Sequence, residues 1–504
     1  MRLQPVIGLE THVQLKTKTK LFSAVLNDSD GAAPNTLISA IDLGHPGVLP
    51  FTNRKAVEWA IQLGLALNGK IAPVSKFDRK HYFYPDLPKA YQISQFDMPI
   101  MEHGHLTLNV PGEKEEVTIG LERLHLEEDA AKNIHGEDGK SYVDYNRAGT
   151  PLCEIVTKPD FRTAAQAKAY LQELRVLVRT LGVSDGDMEK GQLRCDVNIS
   201  LREVDEDGNP INDELNPKTE IKNVNSFKAV ERSIIYEIQR QTKLWEKGQI
   251  PQITTTRGWN DTKQRTELQR EKEDSGDYRY FPEPDIPPMN LEAMTAEIER
   301  TMPELPQAKM ARLIAEYGFK PDDVRQMMED PALVDYAEQA MSELYAWIEA
   351  EPDMEGGAAL EQARRKLTKL VSSWLLNKML GLMMERKIDI RTIKVNPENF
   401  AEFITLLMKG QITGTNGLKV LGKMLDDGID PSHAVEELGA KRIDDADALT
   451  AIVQQVIESN PDEVERFKGG DAKLMQFFIG QIMKETRGNA DPGLAAQALK
   501  DALK

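Results

Sequence analysis

VIGLETHVQL at residues 6–15 and QLRCDVNISL at residues 192–201 alternate apolar and polar side chains with a period of two. Successive residues of an extended chain project to opposite faces, so each stretch predicts a half-buried strand. In the first, Ile7, Leu9, Val13 and Leu15 take one face while Glu10, His12 and Gln14 take the other. In the second, Leu193, Cys195, Val197 and Ile199 oppose Arg194, Asp196, Asn198 and Ser200. EVTIGLERLHLEED (116–129) and SYVDYNRAGTPLCEIV (141–156) carry the same strand bias. Helical periodicity appears between such segments, at NRKAVEWAIQLGLALNG (53–69), TAAQAKAYLQELRVLVRTLG (163–182) and SFKAVERSIIYEIQRQTKLWEKG (226–248). Each closes near a glycine, as a helix C-cap does. The mixture predicts an α+β fold on a largely antiparallel sheet.

The proline-dense stretch YFPEPDIPPM (280–289) reads as a linker or an ordered boundary, because proline disrupts helices and central strands. From Asn290 onward Ala, Leu, Met, Glu and Lys recur at helical spacing, with breaks at GQITGTNG (410–417) and SNPDEV (459–464). Three domains are expected: a strand-rich domain over residues 1–290, an α-helical domain over 291–407 and a small α-helical tail domain over 408–504. A chain of 504 residues fits that number. With 40% hydrophobic and 29% charged residues it reads as soluble and globular. No apolar run approaches the roughly 20 residues of a membrane helix, and the N-terminus lacks the apolar core of a signal peptide. Two cysteines, Cys153 and Cys195, make neither a disulfide framework nor a zinc spacing, so a cytoplasmic location is expected. A net charge of −18 argues against coating nucleic acid by bulk electrostatics, while leaving room for a local docking site.

Acidic residues punctuate the strands. In LERLHLEED, Glu127 shares the face of His125, whereas Glu128 continues the face of Leu124 and Leu126, so the adjacent acids go one to each face. Glu154 interrupts the apolar run PLCEIV, where a carboxylate is rarely buried unless paired or bound to metal. If these acids converge, two carboxylates about 4 Å apart repel by roughly 4 kcal/mol at an effective dielectric near 20. A divalent cation removes that penalty, and oxygen-rich ligands with one imidazole suit Mg2+ or Mn2+ better than structural zinc. The same spacing also fits ordinary strands whose polar faces meet solvent.

KFDRKHYFYPDLPKAYQISQ (76–95) interleaves Lys76, Arg79, Lys80 and Lys89 with Phe77, Tyr82, Phe83, Tyr84 and Tyr91. Such a mixture offers stacking platforms for bases and charge for phosphates, and equally fits a core hairpin with tethered tyrosines. Aromatic residues are only 6% of the chain, so the cluster stands out. GLALNGKI (64–71) nearly spells a phosphate-binding loop, but it lacks the final Ser/Thr and ends a helical pattern. Cys153 and Cys195 sit on apolar strand faces, which favours a structural role over a nucleophilic one. No glycine/serine-rich amidase signature is visible, so any ammonia comes from elsewhere.

These segments resemble the B subunits of the glutamyl/aspartyl-tRNA amidotransferase family. The matching blocks are IGLETHVQLKTKTKLFS, GAAPNT with LGHPGVLP, KFDRKHYFYPDLPKAYQISQ, RLHLEEDAAK, VDYNRAGTPLCEIV, GVSDGDMEKGQLRCDVNIS, KTEIKNVNSF and DYRYFPEPDIPP, covering nearly all of residues 6–288 in order. FFIGQIMKETRGNADPG (477–493) is similar to that family's C-terminal domain. The chain departs from the pattern at Ala131, at Gln269 and in the longer loop at 202–217. The resemblance implies a ligase that forms a C–N bond in protein biosynthesis, active as a heterotrimer with a glutaminase (amidase) A subunit and a small C subunit. It implies a cradle domain in which ATP and Mg2+ (or Mn2+) phosphorylate the side-chain carboxylate of mischarged Glu-tRNA(Gln) or Asp-tRNA(Asn), before ammonia displaces the phosphate. It implies metal ligands at Glu10, His12, Glu128, Glu154 and Asp196, of which Glu10, Glu128 and Asp196 act in catalysis. On this footing Lys76, Arg79 and Lys89 are candidates for phosphate contacts, and Tyr82, Tyr84 and Tyr91 for the tRNA acceptor end. The helical and tail domains would hold the tRNA outside its anticodon.

Two rivals make different predictions. The related archaeal subunit carries an inserted synthetase-like domain, for which the continuous helical pattern from 290 to 410 leaves no room. A non-catalytic tRNA-binding scaffold would bind tRNA whether or not Glu128 and Asp196 are present. The acidic balance predicts tRNA binding with a shallower salt dependence than that of proteins neutralising about 6–10 phosphates. Filter binding across a salt series checks this, and a slope as steep as theirs contradicts it.

Overall fold

A computed structural model describes residues 2–212, 214–272, 278–350, 357–443, 446–470 and 473–503. The chain forms two compact units, Met1–Pro306 and Gln307–Lys504.

The strands of the first unit are, in its N-terminal half, β1 (Arg2–Gln14), β2 (Lys70–Ile71), β3 (Val74–Ser75), β4 (Asp78–His81), β5 (Tyr91–Ser94), β6 (Met101–Leu108), β7 (Val117–Glu128), β8 (Lys132–His135) and β9 (Ser141–Asp144). There follow β10 (Pro151–Thr157), β11 (Leu193–Val204), β12 (Thr219–Val224), β13 (Thr254–Asn260), β14 (Arg265–Lys272), β15 (Arg279–Pro282) and β16 (Met289–Asn290). Nine of them make one sheet in the order β14-β13-β12-β11-β1-β10-β7-β6-β2. Its pairings are antiparallel except that of β12 with β13, so the fold is the expected α+β class. A three-stranded sheet, β15-β4-β5, lies beside the end of β7.

Three helices cover the apolar face: α1 (Arg54–Ala66), α2 (Ala164–Thr180) and α3 (Phe227–Glu246). Each starts at a side-chain cap, from Asn53, Thr163 and Ser226 respectively, and Thr163 with Gln166 completes a capping box. Gly182 and Gly248 follow α2 and α3 with positive φ, as their place in the sequence predicted. Ile7, Leu9, Val13, Leu124, Leu126, Cys153, Ile155, Leu193, Val197 and Ile199 enter one core with Ile61, Tyr170, Leu174 and Ile234. Burial pushes the thiols of Cys153 and Cys195 up, as expected of structural residues. The glycines of the near-miss phosphate loop are there for packing: a Cβ on Gly69 would lie 2.2 Å from Met101 Cγ.

The proline-dense segment does not end the first unit. Tyr280 and Pro282 pair with Lys80 and Asp78, Met289 pairs with Ser75, and the Leu291 N–H donates to the Pro73 carbonyl. Beyond it α4 (Glu292–Thr301) packs on α1, with Met294 and Ile298 against the same core, so the unit runs to Pro306. Prolines here donate nothing, and the ladder bonds fall on their neighbours.

Among its described residues, the regular elements of the second unit are helices. Prolines at 321, 331, 397, 431, 461 and 492 occupy the first turns of its helices, where no backbone donor is lost. Pro331–Glu349 and Pro397–Met408 pack together, and the Tyr336 hydroxyl donates to the Val395 carbonyl at 3.1 Å. Near the C-terminus Leu449, Val453, Phe478, Ile482 and Leu499 form a separate small core. No helix among the described residues is long and apolar enough to cross a membrane.

Glu237 of α3 is fully buried and accepts from Arg240, Gln241 and Thr266, tying α3 to β14. Its replacement by Ala strands Arg240 and is expected to cost about 3–5 kcal/mol in denaturant unfolding. Glu231→Ala, which breaks only a half-exposed pair with Lys168, should cost less than about 1 kcal/mol.

Candidate functional site

The face of the sheet opposite the helices gathers the polar residues. β1 sits between β10 and β11, and its pairings overlap so that Glu10 and His12 each have a neighbour on both sides. Glu10 stands opposite Asp196, and His12 opposite Glu154, which in turn stands opposite His125 of β7. Glu127, two residues beyond His125, projects to the same face. Convergence follows from the register.

Two clusters result. In the first, His12 Nε2 lies 3.4 Å from Glu154 Oε2 and 3.9 Å from Glu127 Oε1. Glu127 is 3% exposed and Glu154 9%, so both carboxylates are shielded from water. Burial disfavours the charged form of each, yet both stay below the ordinary carboxylate range, held there by the imidazoles and by Lys80. Burial likewise opposes charge on His12, but the Glu154 hydrogen bond and the charges of Glu154 and Glu127 outweigh it and raise the imidazole. In the second cluster, ligand atoms of Glu10, Asp196 and Glu220 lie within 4.8 Å of one another. Lys222 Nζ bridges Asp196 at 3.0 Å and Glu220 at 3.1 Å, and Asn198 donates to Glu10 at 3.0 Å. Each cluster contributes one member, His12 and Asp196 respectively, to the wall of a cavity of about 810 Å³ that also includes Arg147, Lys190, Arg194 and Lys222.

One of the expected ligands lies apart from the others. Glu128 does not join His12 and Glu154. As the next residue along β7 it faces away, accepting from Lys89 Nζ at 2.5 Å and from the Ile93 N–H at 2.9 Å. Glu127 takes the place given to Glu128, because the β10–β7 register aligns Glu154 with His125 and parity then selects the first acid of the pair. His12 and Glu154 fall in the first cluster, and Glu10 and Asp196 in the second. Glu220 had no prior sign beyond its place in the strand TEIKNV.

The basic–aromatic stretch divides between two sides. Lys76 is paired with Asp78 and Asp97, Arg79 forks onto Glu283 at 2.7 and 2.9 Å beneath the Tyr91 ring, and Lys89 holds Glu128. Arg79, Lys89, Tyr91 and Glu128 line a separate cavity of about 220 Å³. None of these three cations is in the His12 cluster. Lys80 does turn toward it: burial opposes its charge, but Glu127, Tyr280 and Glu154 hold its ammonium in the charged form, 4.7 Å over the Tyr278 ring. Tyr82 packs edge-on with Tyr84 and Tyr278, and Tyr84 is 61% exposed.

Buried carboxylates facing an imidazole, with excess negative charge, fit a divalent cation. Glu127→Gln is expected to abolish tight Mn2+ binding in isothermal titration, whereas Glu128→Gln retains it. The opposite pattern contradicts the register-based assignment.

Comparison with known proteins agrees in extent with the fold. Residues 5–297 match the family model described as the GatB/GatE catalytic domain, and residues 358–503 match that described as the GatB domain. The chain is 43% identical over 512 aligned positions to the B subunit of the aspartyl/glutamyl-tRNA(Asn/Gln) amidotransferase of Trichodesmium erythraeum, covering 100% of this chain and 98% of that one. The protein of the same name from Picosynechococcus sp. is 44% identical, with 99% and 98% covered. That from Thermodesulfovibrio yellowstonii is 42% identical, with 100% of both chains covered. The chain therefore belongs to the B-subunit family of the tRNA-dependent amidotransferases.

Proposed function

We propose that the polar sheet face phosphorylates the side-chain carboxylate of Glu-tRNA(Gln), Asp-tRNA(Asn) or both with ATP, and then completes amidation with ammonia from a partner glutaminase subunit. The observation that carries this reading is the pair of cation-competent clusters on one sheet face, which reach one large cavity through His12 and Asp196. The names of the relatives supply the tRNA substrates and mark each of them as one subunit of a larger enzyme. A glutaminase A subunit and a small C subunit are the partners that the sequence resemblance implies. Residues His12, Glu127 and Glu154 would hold one divalent cation, and Glu10, Asp196 and Glu220 a nucleotide-linked Mg2+.

In the first step a carboxylate oxygen of the aminoacyl group attacks the γ-phosphorus and ADP leaves. In the second the ammonia nitrogen attacks the acyl carbon, inorganic phosphate leaves and the nitrogen loses a proton. Bound cations supply neutralisation of the charge on the transferred phosphoryl group. The protein's own contribution is positioning. The cavity wall includes Lys190 as a candidate for phosphate oxygens and Arg194, which Asp129 holds at 2.8 Å, and Lys80 adds a positive charge beside the Glu127–Glu154 cluster. Lys76, Arg79 and Lys89 contribute to phosphate binding only if their carboxylate partners release them. Tyr82 and Tyr84, with Tyr278, offer the aromatic surface for the acceptor end.

In the assembled complex, Glu127→Gln and Asp196→Asn are expected to slow phosphate transfer from γ-labelled ATP to the mischarged tRNA by about 100-fold or more. Glutaminase activity should persist at least in part. Unimpaired phosphate transfer by Glu127→Gln would remove the sheet face from the chemistry.

A further inference from the structure

The chain leaves β7 through a third acid. The Asp129 N–H donates to the Thr150 carbonyl at 2.8 Å, and its own carbonyl accepts from the Gly149 N–H at 3.0 Å, so its backbone is fixed on both sides. Its carboxylate is 4% exposed, and three other side chains converge on one oxygen of it. Asp129 Oδ2 accepts from Gln14 Nε2 at 2.7 Å and lies 2.8 Å from Arg194 Nη2 and 3.6 Å from Arg147 Nε. Gln14, Arg147 and Arg194 all line the large cavity, and Asp129 stands behind them. Two guanidinium groups on one carboxylate leave this stretch of wall with a net positive charge.

The two arginines are held differently. Arg147 donates from Nε and Nη2 to the carbonyls of Ala130 and Ala131 at 2.9 and 2.8 Å, so the backbone fixes it without help from Asp129. Arg194 has no such anchor. Its Nε and Nη2 are buried without an aligned hydrogen bond among the described residues, and the charge of Asp129 is what holds it. Its place is nevertheless the more consequential one. On β11 it stands opposite His12 and two residues from Asp196, so it adjoins a member of each acidic cluster. Glu127 and Asp196 attract it as well. Without a stronger hold from behind, so long a side chain would fold onto those acids and fill the space that a phosphoryl group needs.

We propose that Asp129 is a positioning residue, whose buried charge holds Arg194 against the cavity wall so that its guanidinium meets the γ-phosphate of ATP. A planar guanidinium matches the oxygens of a phosphoryl group and keeps its charge at any working pH. Held in advance, it needs no rearrangement as charge develops on that group. The inference rests on the reading of this cavity as an ATP site. It goes further in naming the side chain that tells a triphosphate from a diphosphate, and the buried acid that sets it in place.

The test is isothermal titration of the assembled complex, with Mg2+ present, using ADP and a non-hydrolysable ATP analogue. Arg194→Gln and Asp129→Asn should each weaken the analogue about 10-fold and leave ADP within about twofold. Because Asp129 acts through Arg194, the double variant should bind the analogue no more weakly than Arg194→Gln alone. Multiplied losses in the double variant, an equal loss of both nucleotides in Asp129→Asn, or no loss at all there, overturns the positioning role. An Arg194→Gln complex that loses both nucleotides equally, or neither, overturns the γ-phosphate contact. A wild-type complex that binds neither nucleotide overturns the reading of the cavity itself. If Asp129→Asn does not assemble, Asp129→Ser takes its place under the same criteria, and the Arg194→Gln arm decides the contact without either.

Discussion

Like charge confined to one face of a single sheet is the constraint on which the first unit depends. The helices α1, α2 and α3 claim the apolar face, so Glu10 and His12 of β1, His125 and Glu127 of β7, Glu154 of β10 and Asp196 of β11 share the other. There the antiparallel register stacks acid beside acid and imidazole, in rows across neighbouring strands. Repulsion between buried carboxylates is tolerable only where cations answer it. The protein answers part of it itself, with Lys222 between Asp196 and Glu220 and with Lys80 near Glu127 and Glu154.

Much of this was legible in the sequence because strand geometry has a fixed period. VIGLETHVQL and QLRCDVNISL named the residues of both faces correctly, and they prove to be adjacent strands in full register over Arg2–Val13. The three helices and their caps were equally visible. Partner choice was not. Parity alone placed Glu127 with His125, yet only the alignment of β10 on β7 shows that Glu154 stands in that same row. The acid carried over by family resemblance, Glu128, is the one of the pair that faces Lys89. Lys76, Arg79 and Lys89 illustrate a different limit. Lys76 has one partner close by in Asp78, but Asp97, Glu283 and Glu128 lie 21, 204 and 39 residues from Lys76, Arg79 and Lys89, beyond the reach of local pattern.

The proline-dense segment shows how composition misplaces an edge. Prolines mark where ladder bonds are lost, but Tyr280, Phe281 and Met289 still pair, and the next helix still has an apolar face to bury on α1. Burial carries the first unit past the punctuation to Pro306. In the second unit the same residue type has the reverse meaning, opening helices rather than closing them.

The acid pair Glu127–Glu128 ends β7 with one carboxylate on each side of the sheet, the first among the imidazoles and the second on Lys89 beside the smaller cavity. Because the two are bonded neighbours on one strand, the length of that strand is itself part of the chemistry. A single inserted or deleted residue between Gly120 and Glu127 would turn the acids over together, sending Glu127 toward Lys89's side and leaving the imidazoles facing a different residue. The residue count of β7 beyond Gly120 thus sets which acid meets the imidazoles and which meets Lys89.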